Sequence, residues 1–208
     1  RQSILPAGHV SIGESYNNLG VYVLKQGEYE QAREYLEQAL AIRADALGPS
    51  HNRVAQTQTN LGRAYEFLGD LDAALEQQEA ALATFESVFG TDHWRTAEVI
   101  ARTAGIYRKR AELDRAMQLT ERAREINVES LGAEHPAVAD NLALMGRIEA
   151  DRGRIQAAEV HFRTALQILE AALDADSPRS AELREEFADV LERGGHTARA
   201  DSLRALDR

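Results

Sequence analysis

The stretch "NNLGVYVLKQGEYEQAREYLEQALAI", residues 17–42, decides the fold. Gly20, Gly27, Ala32 and Ala39 within it each open a column of small residues spaced 42 apart. Gly20 is followed by Gly62, Ala104, Gly146 and Ala188, and Gly27 by Gly69, Ala111, Gly153 and Gly195. Ala32 leads to Ala74, Ala116, Ala158 and Ala200, and Ala39 to Ala81, Ala123 and Ala165. Four columns in one register are not chance. A period of this length marks an array of repeated supersecondary units, each too small to bury its own apolar face.

Each unit reads as two helices. Ile12, Tyr16, Leu19 and Val23 fall at helical spacing and predict one apolar face; Val54, Leu61, Tyr65 and Leu68 repeat it a unit later. The second helix is plainest as Ala158, Phe162, Ala165, Leu166, Leu169 and Leu173, with polar residues between. Between the two helices stands the Gly27 column, as in "KQGEYE", "FLGDLD" and "DRGRIQ". Glycine there supplies the left-handed conformation that ends a helix. The Gly20, Ala32 and Ala39 columns mark where the paired helices cross closely. The expected architecture is all-α: a superhelix of antiparallel helix pairs, four full and a shorter fifth. The units run 9–50, 51–92, 93–134, 135–176 and 177–208 as one array, with 1–8 the remnant of a preceding second helix. "RQSIL" at 1–5 stands in register with "RADAL" at 43–47, which gives the expectation of a larger protein upstream.

A second phrase recurs between units: "LGPSHNRVA" at 47–55, "FGTDHWRTA" at 89–97 and "LGAEHPAVA" at 131–139. Its histidines, His51, His93 and His135, share a column with His9, and the column ends in Ser177. Gly48, Gly90 and Gly132 stop one helix, and Pro136 and Pro178 take the favoured first-turn position of the next. The histidine is therefore expected at the N-cap, where a side-chain acceptor satisfies an orphaned backbone N–H. Serine can replace it there but is a poor metal ligand. Equivalent positions on successive packed helices lie about 8–10 Å apart, whereas nitrogens sharing a zinc each lie about 2.0–2.1 Å from it. Neighbouring column histidines cannot share one ion.

At these residues the chain resembles the tetratricopeptide repeat. The 42-residue spacing with its "LG..H" linkers is similar to the longer variant found in kinesin light chain and many bacterial proteins. Departures occur: Thr103 and Met145 replace the leucine of Leu19 and Leu61, and Glu149 stands where Tyr65 and Tyr107 stand. The resemblance implies noncatalytic protein–protein interaction through a concave groove lined by the first helices. By register, the implied groove set is Asn17, Asn18, Val21, Lys25, Thr59, Asn60, Arg63, Phe67, Ala101, Arg102, Arg108, Lys109 and Arg147. Of the asparagines that hold peptide backbone in such repeats, Asn17, Asn18 and Asn60 match.

The middle of that face is basic against an acidic whole, net charge −10, and the fifth unit turns acidic at Glu182, Glu185, Asp189 and Glu192. An acidic partner segment is the expectation, since arginine forks suit carboxylates; solvated charges paired to Glu66 or Glu98 are the alternative. A regulatory or self-assembly arm of a larger signalling protein is the second functional reading. The acidity argues against nucleic acid and anionic membranes. No cysteine is present, so thiolate chemistry is excluded. No phosphate loop, nucleophile elbow or zinc-protease motif appears, so neither cofactor nor catalysis is expected. "DADS" at 174–177 lacks the rest of a calcium loop and occupies linker register. His161 falls in the column of Tyr35 and Leu119, an interface position. Trp94 stands at a helix start, to pack on its linker or serve as an exposed anchor. Arginine and alanine richness suits a bacterial protein, and the absence of cysteine fits a cytoplasmic one.

Overall fold

The computed structural model describes residues 10–173 and 177–205. Ten helices follow in pairs: α1 (Val10–Lys25) with α2 (Tyr29–Leu47), α3 (Asn52–Leu68) with α4 (Leu71–Phe89), α5 (Trp94–Lys109) with α6 (Leu113–Leu131), α7 (Pro136–Asp151) with α8 (Ile155–Leu173), and α9 (Pro178–Arg193) with the short α10 (Thr197–Arg204). They group into two compact units, Arg1–Thr91 and Asp92–Arg208. Within each unit, a second helix lies against the first helix of the next pair. Among the described residues there is no strand, and no helix is long and apolar enough to cross a membrane. His9 and the segment 1–8 lie outside the described residues, as do 174–176 of "DADS".

The turn inside each pair is the same device five times. Gly27, Gly69, Gly153 and Gly195 have φ between 74° and 85°, and Ala111 follows at 62° despite its Cβ. The next backbone N–H reaches back six residues inclusive: Glu28 to Val23, Asp70 to Tyr65, Glu112 to Tyr107, Arg154 to Glu149 and His196 to Leu191, at 2.8–3.1 Å. This is the Schellman closure, which satisfies a carbonyl the helix end would otherwise orphan.

The small-residue columns lie where the helices cross. Every alanine of the Ala32 and Ala39 columns is fully buried. A Cβ on Gly20 would come within 2.6 Å of Leu36, one on Gly62 within 2.7 Å of Gln78, and one on Gly146 within 2.8 Å of Phe162. Glycine on the first helix thus faces a large side chain on the second. Where the column carries Ala104, the opposite register position holds the smaller Thr120. In the second unit Phe162 also stacks on Phe187, with ring centroids 5.5 Å apart, at the centre of a cluster with Leu166, Leu169, Leu183 and Leu191.

The apolar face assigned to α1 needs correction. Its buried residues are Gly13, Asn17, Gly20 and Leu24; Ile12, Tyr16 and Val23 are half-buried and Leu19 is 45% exposed. Leu61, one unit later, is buried because α2 lies beneath it with Leu36 and Ala32. No described helix precedes α1 to cover Leu19. In α8 the expected face holds as far as Leu169, while Leu173 is exposed.

Candidate functional site

The linker histidines are N-caps. Nδ1 of His51, His93 and His135 each accepts the backbone N–H of Arg53, Arg95 and Ala137, all at 3.1 Å. Ser177 does the same for Ser180 through its hydroxyl at 3.2 Å. One ring nitrogen of each histidine is thereby committed to the backbone. His161 is half-buried on α8, and burial pushes its pKa below the ordinary value.

In the first unit the predicted groove residues divide. Asn17 is buried, its Oδ1 accepting from the Asn60 amide at 3.2 Å and from the Thr57 hydroxyl at 3.3 Å. Thr59 is buried too: its hydroxyl donates to the Ala55 carbonyl, and its own carbonyl accepts from Gln78. The Asn17 amide therefore joins α1 to α3 and the Thr59 carbonyl joins α3 to α4, while the Thr59 hydroxyl bonds within α3. Asn18 and Lys25 are exposed, Val21, Asn60 and Arg63 half-buried, and Phe67 stacks on Tyr29 at 4.7 Å while 47% exposed.

In the second unit the arginines of the expected basic face are in ion pairs. Arg102 donates to Glu98 at 2.8 Å, Arg108 to Asp151 at 2.7 Å, and Arg147 to both oxygens of Glu186 at 2.5 and 2.6 Å. For Arg147, burial works against the charge, but the Glu186 carboxylate outweighs it and holds the pKa above its ordinary value. Lys109 is exposed and also engaged. At the closing pair, Arg204 gathers Glu185, Asp189 and Glu192 at 2.9, 2.5 and 3.1 Å.

These residues frame two clefts along the first helices of the second unit. One, about 470 Å³, lies between α5 and α7, with Trp94, Ala101 and Arg102 on one wall, Asn141, Leu144 and Arg147 on the other, and Asn127 from α6 at its floor. The other, about 290 Å³, lies between α7 and α9 and shares Asp140 and Arg147 with the first. Trp94 is 38% exposed, ringed by His93 at 5.5 Å and the Arg95 guanidinium at 5.1 Å, so it both packs on its linker and faces the cleft. The Asn127 amide donates to Asn141 at 2.7 Å in the buried floor.

Arg43, Thr57, Asn127 and Asn141 were outside the predicted set. A signal was available for them. Among the described residues, Arg43 and Asn127 share a column with apolar Phe85 and Leu169, and a polar residue at such a position asks for a partner.

Known proteins share this fold of helix pairs. The family model for the tetratricopeptide repeat matches residues 11–87 and 95–171. A crystal structure from Podosopora anserina, of a protein described as a kinesin light chain with nearly identical TPR-like repeats, is 25% identical, covering 94% of this chain and 92% of that one at a TM-score of 0.73. BtubC (BKLC) from P. vanneervenii is 20% identical, with coverage of 95% and 81% and a TM-score of 0.75. A Rap protein, complexed with competence and sporulation factor, is 16% identical over 92% of this chain and 52% of that one, at a TM-score of 0.80. No curated protein sequence matches significantly. With both helix-pair blocks matched by the family model, the chain belongs to the tetratricopeptide repeat family.

Proposed function

We propose that the chain is a noncatalytic module that holds an extended segment of a partner protein along its first helices. Tetratricopeptide repeats are in general protein–protein interaction modules. The cleft between α5 and α7 carries the reading furthest. It offers one exposed aromatic, a small-residue wall at Ala101 and a polar floor at Asn127 and Asn141, the mixture that peptide recognition uses. The ion pairs modify the expected basic groove. A partner carboxylate meets Arg102 or Arg147 only by exchanging with Glu98 or Glu186, so charge tunes selectivity here more than affinity.

Trp94 is the only tryptophan, which makes the test direct. Acidic and neutral peptides recovered from a displayed library should shift its emission saturably. Bound peptides that leave Trp94 emission unchanged would move the site off this cleft. A second reading, a self-assembly arm, is favoured by exposed Leu19 and Tyr22 on α1, the latter 63% accessible. Mass rising with concentration, and returning to monomer in Leu19→Glu, would support that arm over a monomeric receptor.

A further inference from the structure

We propose that Arg43 and Arg53 form a carboxylate-binding site at the seam between α1 and α3, which takes an acidic side chain of the bound partner segment. This rests on the peptide-binding reading and names the chemistry of one contact.

Four charged side chains are buried among the described residues: Arg43, Glu149, Glu159 and Arg184. Three have ionic partners. Glu149 holds Arg152 at 2.7 Å, Glu159 holds Arg199 at 3.0 Å, and Arg184 holds Glu170 at 2.9 Å. Among the described residues Arg43, only 3% exposed, has neutral acceptors alone: its Nη1 donates to the Arg53 carbonyl at 3.0 Å and to the Thr57 hydroxyl at 2.8 Å. Its Nε is buried without a partner. Both acceptors are already shared, since the Thr57 hydroxyl itself lies 3.0 Å from the Arg53 carbonyl and 3.3 Å from Asn17 Oδ1. Those bonds satisfy one nitrogen; they do not neutralise a guanidinium.

The neighbouring charges leave the deficit open. Arg53, on the first turn of α3, repels Arg43, and exposed Glu14 on α1 is the carboxylate that acts on both. Glu14 stands 3.9 Å from Arg53, the outer limit of an ion pair, with both side chains about half exposed. Two guanidiniums thus share one loosely held carboxylate. A carboxylate from outside arrives at half-exposed Arg53 and meets beside it a second guanidinium already desolvated and fixed, where charge-assisted hydrogen bonds are strongest. Gly13 lets α1 pack against the stem of Arg43, since a Cβ there would lie 3.1 Å from Arg43 Cγ.

The fold does not require this charge. Within the second unit the same register position holds Asn127 and Leu169, and the position of Thr57 holds Asn141 and Leu183; all four are buried. Apolar and neutral pairs fill the seam elsewhere, so a buried cation here costs stability that packing does not demand.

The experiment follows the Arg43 Nε–H resonance by NMR in the native chain while sodium acetate, sodium phosphate or sodium chloride is added at matched ionic strength. A saturable shift with acetate and none with chloride is expected. Arg53→Gln, an exposed change that leaves the fold intact, should weaken acetate binding on the order of tenfold, as loss of one charge-assisted bond implies. Arg43→Leu, which copies the leucine that Leu169 supplies at the same register position, should melt at or above the native temperature and lose the acetate response. A missing or non-saturating shift, identical acetate affinity in Arg53→Gln, a response to phosphate alone, or a lower melting temperature in Arg43→Leu each overturns the site; the last would make Arg43 a structural strut. Peptide binding read at Trp94 is independent: if it persists while acetate fails, the module reading stands and this site falls.

Discussion

His51, His93 and His135 show how one atom decides between chemistry and architecture. With Nδ1 accepting a backbone N–H, the ring caps a helix, and Ser177 performs the same task through oxygen. His135→Ala should cost about 1 kcal/mol in chemical denaturation, in the usual range for an N-cap, and His135→Ser should restore most of it. An unchanged midpoint in the alanine variant would refute the cap. Ala111 carries the left-handed conformation its glycine counterparts adopt freely. Ala111→Gly should therefore raise stability by about 1 kcal/mol, the scale of the left-handed penalty for a residue with a Cβ. His161 has a pH consequence. Its depressed pKa means that the unfolded chain takes up a proton before the native one as pH falls. Stability should begin to decline near about pH 6.5, the ordinary histidine value, and the loss should be complete below the depressed native pKa. His161→Leu, matching Leu119, should flatten that part of the profile.

At the scale of the helix pair, the glycine column and its opposite positions form a matched set: Gly20 with Leu36, Gly62 with Gln78, Gly146 with Phe162. Two effects compete in Gly146→Ala. Helix propensity favours alanine by about 1 kcal/mol, while a Cβ 2.8 Å from the Phe162 ring forces repacking at about 1–3 kcal/mol. Repacking should win and the variant should melt lower. Ala158→Leu, at a fully buried crossing, should lose about 1–3 kcal/mol for the same reason. A native-like melting curve for either would place the crossing elsewhere. These columns were legible in the sequence because crossing distance constrains residue size directly. The α1 face was not, because exposure of Leu19 depends on whether a neighbouring helix covers it, and periodicity within one helix carries no information about that.

Across the whole molecule, the repeat, the turns and the caps could be read from spacing alone, since each is local or set by register. The site was only partly legible. Register places Arg102, Arg108 and Arg147 on the first helices, but Glu98, Asp151 and Glu186 pair with them, and two of these partners lie about one repeat further along the chain. Asn17 illustrates the opposite case. Register puts it in the groove set, yet Thr57 and Asn60 of the next pair draw its amide inward. The proposal of acidic partners accordingly rests on selected arginines and not on a basic face. The most direct measurement of partner holding is selection from a displayed peptide library on the native chain and on Ala101→Phe, which fills the wall of the α5–α7 cleft. Peptides enriched on the native chain and lost on the filled variant, with both proteins melting alike, are expected. Equal recovery on both, or no enrichment on either, would contradict binding along these first helices.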